Sequence, residues 1–225
     1  MKRLPKIAVT PVALEALGAA YSFALLPRLR RWGATVEEVS RPLPGDELVP
    51  DPLYTTTHAI TVRASAEAVW PWLVQIGQNR GGFYTYDALE NLAGLNVRSA
   101  DFLHPEWQDL RADEDYLTLD PDETMKMMIA LFEPPRAFVV RSGAPGEPQE
   151  AGSLFRGEMA WTWGFYLEPA GPGETRLVIR SRASWRRTVP AAFARTLGLE
   201  PAHFLMEEGM LRGIRDRAEQ AASRA

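Results

Sequence analysis

The chain contains no cysteine and only three histidines, His58, His104 and His203. Without cysteine there are no disulfides, no thiolate nucleophile and no thiolate metal site. The composition suits a reducing compartment, and the expected location is the cytoplasm. The three histidines lie far apart in sequence, so a histidine-based zinc centre has no ligand spacing to rest on. A purely carboxylate metal site stays open, and no cofactor is implied. Also absent are a Gly-x-Ser-x-Gly elbow, a glycine-rich phosphate cradle, an HExxH helix and any internal repeat. An enzyme built on this sequence therefore has to work through the shape of a cavity and an acid/base pair.

What is present is enough apolar material for a core. At 225 residues and 46% hydrophobic, the chain can bury a full interior without covalent staples. Its net charge of -4 is unevenly spread: residues 101–174 carry fifteen acidic and five basic side chains, and residues 175–225 ten basic and five acidic. A phosphate-binding face would have to survive that acidic middle, which argues against nucleic acid as a partner. The C-terminal basic excess is expected to pair with the acidic loops.

Residues 1–54 read as an apolar helix followed by a proline-rich strap. Thr10 and Pro11 make a helix start, and from Val12 to Leu26 only Glu15 and Ser22 are clearly polar. Basic residues flank the run on both sides. Two readings follow: membrane association through residues 7–29, holding the protein to the inner face of the membrane, or a helix docked on its own domain or on a partner protein. The tract from Arg41 to Pro52 is expected to be an extended linker or strap rather than a core element. Oligomeric state is left open.

From residue 55 onward the pattern is one domain. Ile60 and Val62 alternate with Thr61 and Arg63, a period of two that predicts a strand with one buried face. Ser65 is placed to cap a helix whose Ala66, Val69, Leu73 and Ile76 share one side, with Pro71 as a local conflict. Gly81 and Gly82 make a sharp turn before Phe83, Tyr84 and a second helix, Asp87 to Ala93. Strands are then predicted over 113–119, 124–133, 137–142, 153–168 and 175–185, with a loop between Ser142 and Gly152. The last segment, 191–222, is predicted as a long helix, broken near 198–201, with Phe204, Leu211, Ile214, Ala218 and Ala221 in one stripe.

The helix Ala-Glu-Ala-Val-Trp-Pro-Trp-Leu (66–73), Gln75-Ile76-Gly77, Arg80 through Tyr84, Asp87 and Leu89-Glu90-Asn91 resemble the opening of bacterial SRPBCC-superfamily proteins. Gln108-Asp109-Leu110, Trp163 with Leu167-Glu168-Pro169, and Thr175 through Arg182 agree, so the resemblance spans roughly residues 55–220. It implies an α+β, START-like helix-grip fold: a curved antiparallel sheet wrapped around a long C-terminal helix, two short helices after the first strand, and here an extra N-terminal helix. It also implies a relationship to polyketide cyclases and lipid carriers, and hence a small hydrophobic ligand, lipid-like or aromatic, held between sheet and helix by a carrier or sensor. It transfers no catalytic motif.

Residue candidates follow from the alternation. Trp161, Trp163, Phe165 and Leu167 share one side of a strand; Met125, Met127, Ile129 and Leu131 share one side of another. With Phe83, Tyr84, Arg80, Met206 and Met210, the residues Met127, Ile129, Trp161 and Trp163 form the candidate ligand-binding set. The same stripes suit a plain core equally well. His203 stands one turn before Glu207, which offers an acid/base pair for a cyclase, dehydratase or isomerase; the plainer expectation is a surface salt bridge near a helix start. His58, in phase with Ile60 and Val62, is expected to be a hydrogen-bonded core histidine. Arg80 is expected to close over a ligand anion or to pair with Asp87 or Glu90, and Arg180 and Arg182 to serve ion pairing on the outer face.

Overall fold

A computed structural model of the protein describes residues 21–92, 94, 96–142, 159–185, 198 and 200–224. Six strands, β1 (Tyr54–Val62), β2 (Tyr116–Thr118), β3 (Lys126–Glu133), β4 (Ala137–Ser142), β5 (Met159–Gly171) and β6 (Glu174–Trp185), make one sheet. Their spatial order is β1-β6-β5-β4-β3-β2, and every neighbouring pair is antiparallel. The predicted periodicity holds because the two faces of the sheet meet different surroundings. The inner residues Val62, Leu117, Met127, Ile129, Phe138, Val140, Trp163, Phe165, Leu167, Leu177 and Ile179 belong to one large core. On the outer side Ala59, Ala137, Val139, Tyr166 and Val178 form a smaller core with Leu43.

Five helices are described: α1 (Leu26–Leu29, entered through a π-turn, Tyr21–Leu25), α2 (Val36–Ser40), α3 (Ala66–Val74), α4 (Asp87–Leu92) and α5 (Glu200–Ala222). α5 lies across the inner face, burying Glu207, Met210, Leu211, Ile214 and Ala218. That set recurs at helical spacing, so the buried stripe runs through Met210 and Glu207. α3 continues through Pro71 rather than splitting there, and Ser65 ends the preceding segment without a side-chain capping bond. Two glycines of α5 let the loop after α3 come close. A Cβ at Gly213 would lie 2.0 Å from the Tyr84 carbonyl oxygen, and one at Gly209 2.9 Å from the Tyr86 ring. The Arg217 guanidinium stacks over the Tyr84 ring at 4.8 Å.

Three expectations need correction. Leu131 does not share a side with Met127 and Ile129: a β-bulge between Ile129 and Leu131 turns Leu131 to the outer core and Phe132 to the inner one. The strap is not merely a linker. Leu43 and Val49 are buried, and α2 starts with a capping box on Thr35 and Glu38. Beneath the strap lies Arg180, outward-facing as expected but only 3% exposed. Its guanidinium donates to Thr57 Oγ1, Asp46 Oδ2 and the carbonyls of Glu38, Val39 and Arg41. Arg80 in turn does not pair with Asp87, and the Glu90 side chain lies outside the described ones; Arg80 donates to the carbonyls of Val74 at 3.2 Å and Trp107 at 2.5 Å, tying a loop to the end of α3.

The chain before β1 also closes the sheet's edge. Thr57 donates its amide to Arg30 O at 2.8 Å and Ala59 to Trp32 O at 3.1 Å. Gly33 makes this possible, with φ of 71° and no room for a Cβ, which would sit 2.0 Å from the Ala59 oxygen. Residues 1–20, most of the predicted apolar helix, lie outside the described residues, as do 143–158 and the segment 186–197. Among the described residues no helix is long and apolar enough to cross a membrane.

Candidate functional site

Where α5 begins, polar side chains from three distant parts of the chain meet. β1 points His58 inward because it alternates in phase with Val62, β6 points Ser181 inward in phase with Ile179, and the first full turn of α5 carries His203 and Glu207. Glu207 Oε2 lies 2.6 Å from His58 Nδ1, and Oε1 lies 3.3 Å from His203 Nε2. Trp163 Nε1 at 2.8 Å and Ser181 Oγ at 2.9 Å also donate to Oε1, and Thr56 Oγ1 approaches Oε2 at 3.4 Å. The carboxylate is 1% exposed and His58 is completely buried. The plainer expectation of a surface salt bridge is thus overturned: Glu207 is an interior anion surrounded by donors.

The protonation states follow from the partners. Burial alone would push the Glu207 carboxyl up, but the two histidines and the hydrogen bonds from His58 and Ser181 outweigh it and hold it at about 2. His58 Nε2 is 2.7 Å from the Leu29 carbonyl oxygen while Nδ1 faces the carboxylate. The carbonyl only accepts, so Nε2 carries a proton, and Nδ1 makes a close ion-pair contact with the carboxylate whose donor direction is off the hydrogen-bond line, an arrangement that favours the imidazolium. Burial pulls its pKa down, yet the adjacent Glu207 charge and hydrogen bond leave it raised. His203 goes the other way: burial lowers its pKa, Glu207 opposes this, and the nearby His58 charge lowers it further, with a net lowering. A neutral His203 accepts at Nδ1 from Tyr54 Oη, 3.0 Å away, and donates from Nε2 to Ser181 Oγ at 3.5 Å, with Glu207 Oε1 3.3 Å from the same nitrogen. The result is a hydrogen-bonded chain, Tyr54 to His203 to Ser181 to Glu207.

Aromatic groups enclose this chain. His203 meets the edge of Trp161 at 6.3 Å and of Tyr54 at 5.7 Å between ring centroids. Phe204 packs edge-on against both His58 and Trp32, and Trp161 stacks on Trp163. Trp161, His203, Phe204, Met206 and Trp32 keep part of their surface accessible. The other predicted ligand-binding residues do not. Phe83, Tyr84, Met127, Ile129, Trp163 and Met210 are each at most 5% exposed and lie in the main core, and Arg80 is at the far loop described above. Sequence reasoning paired His203 with Glu207 but missed His58, Ser181 and Tyr54 as their partners; the one available signal was the inward phase of His58. Among the described residues no group of three or more His, Asp or Glu side chains is arranged to hold a metal ion.

Six antiparallel strands in this order, two short helices after the first strand, and one long C-terminal helix against the inner face decide the architecture. It is a helix-grip fold. No protein-family model matches the sequence, and neither does any curated protein. Solved helix-grip structures are similar at a distance. The Zhui aromatase/cyclase from Streptomyces sp. R1128 is 13% identical, covering 75% of this chain and 95% of its own, with a TM-score of 0.39. A truncated norcoclaurine synthase from Thalictrum flavum is 13% identical over 72% of this chain and 88% of its own, TM-score 0.38. A hypothetical protein from Helicobacter pylori is 12% identical over 79% and 95%, TM-score 0.47. These likenesses are loose, and the helix-grip assignment rests on the chain's own strand order.

Proposed function

We propose that the protein binds a small hydrophobic molecule, as a carrier or sensor, beside the first turns of α5. Helix-grip members of the superfamily typically bind hydrophobic ligands in a cavity. The observation that carries the reading here is a contrast along one interface. Its middle is sealed by Met127, Ile129 and Met210, none more than 1% exposed. At the His203 end, Trp161, Phe204, Met206 and Trp32 remain partly accessible around a polar centre. Apolar walls with a few placed polar groups are what a small-molecule site requires. Native mass spectrometry of protein purified from its own host tests this. A bound organic mass is expected, and it should be lost on Trp161→Ala; a mass that survives that substitution places the ligand elsewhere.

A second reading, an acid/base enzyme of the cyclase, dehydratase or isomerase kind, is favoured by the Tyr54–His203–Ser181–Glu207 chain. Ser181 and the carboxylate beside it favour the Nε2-protonated tautomer of His203, so Nδ1 of the imidazole can take the phenolic proton from Tyr54 and return it. Incubating the recovered ligand with the protein should then yield a product of changed structure, and Glu207→Gln should abolish conversion while the ligand still binds. An unchanged ligand after prolonged incubation leaves the carrier reading alone.

A further inference from the structure

Building on the binding site proposed above, we infer that its ligand is an uncharged aromatic compound and that ionised analogues are excluded. Among the described residues, the cations seen against these aromatic rings are each matched by an anion. His58 is held by Glu207 at 2.6 Å. Arg30 makes a two-pronged contact with Glu200, both bonds 2.9 Å, and its guanidinium lies 5.7 Å from the centre of the Tyr54 ring. Arg212, over the Trp32 ring at 5.7 Å, pairs with Glu208 one turn earlier. Three cations meet three anions.

The polar capacity of the centre is also taken up. Glu207 accepts from Ser181 and Trp163 on one oxygen and from Thr56 on the other, and each oxygen also lies against a histidine, His203 at 3.3 Å and His58 at 2.6 Å. His58 Nε2 is bonded to the Leu29 carbonyl, and its Nδ1 faces the carboxylate as an ion pair. The member of the cluster that reaches the accessible side is His203, 14% exposed and neutral. A ligand carboxylate or ammonium entering here would leave water and find its counter-charge committed to another partner, so one existing pair would have to break. A neutral ring loses little solvation and gains contact with Trp161 and Phe204, whose faces and edges suit another aromatic. The selectivity is thus set by satisfied pairs rather than by a repelling charge.

Calorimetric titration with three matched probes tests the inference: 2-naphthol, 2-naphthoate and 2-naphthylmethylammonium at pH 7. The neutral alcohol should bind about tenfold or more tighter than either ion. Glu200→Gln, which leaves Arg30 without its counter-charge, should raise the affinity for 2-naphthoate severalfold and leave 2-naphthol nearly unchanged. Circular dichroism checks that the variant is folded, and Glu200→Asp, keeping the charge, should restore the original preference. If 2-naphthoate or the ammonium binds as tightly as 2-naphthol, the charge inference is overturned while hydrophobic binding stands. If none of the three binds, both fall.

Discussion

At the scale of single residues, Glu207 is the side chain on which the interior depends. Its carboxyl titrates near 2 in the folded protein and near 4.5 when unperturbed. As pH falls the unfolded chain therefore takes up the proton first, so the stabilisation is complete above about 4.5 and disappears between 4.5 and 2. Glu207→Gln should cost about 3–5 kcal/mol at pH 7, because it leaves the His58 imidazolium buried without a counter-charge. The same variant should flatten the acid limb of stability in urea titrations between pH 4.5 and 2; an unchanged acid limb assigns that pH dependence to other carboxylates. His58 and His203 should separate in nitrogen NMR at pH 7, the first with both ring nitrogens protonated and the second with one. Two neutral histidines would contradict the assignment. The pairing of His203 with Glu207 was legible in the sequence because the helix itself sets their separation. The burial of that pair was not, since it depends on His58, Tyr54 and Ser181, which only the sheet register brings near.

At the scale of elements, period-two alternation made the strands readable, and it failed where the backbone breaks the period. The bulge after Ile129 sends Leu131 to the other face, and no residue type in Ile129-Ala130-Leu131 announces it. The proline-rich strap hid its role for a related reason. Prolines and loop residues dominate its composition, while its contribution comes from a few groups, Leu43 in the outer core and Asp46 and the Arg41 carbonyl on Arg180. α5 meets its neighbouring loop through glycine. Gly213→Ala should destabilise the protein by about 1–3 kcal/mol, because the added methyl meets the Tyr84 backbone rather than a movable side chain; thermal melting reads this directly, and an unshifted melting temperature would show that the loop can retreat. The segment ahead of β1 makes a separate prediction. A chain starting at Tyr21 keeps the hydrogen bonds from Thr57 and Ala59 to residues 30 and 32 and should stay folded. A chain starting at Ala34 exposes that edge and removes the Leu29 acceptor of His58, so it should be less stable and associate through β1. Size-exclusion chromatography of the two distinguishes these outcomes.

At the scale of the whole molecule, one sheet serves two purposes. Its outer face is closed by the strap around Arg180, and its inner face is closed by α5 through most of its length. Among the described residues, the end near His203 combines accessible aromatic surface with a buried, charge-balanced polar centre. The most direct test is a crystal structure of the protein with 2-naphthol. The account predicts the naphthyl ring in van der Waals contact with Trp161 and Met206, beside His203, with the His58–Glu207 pair undisturbed. Ring density elsewhere on the protein, with the Trp161 wall bare at saturating ligand, would contradict it.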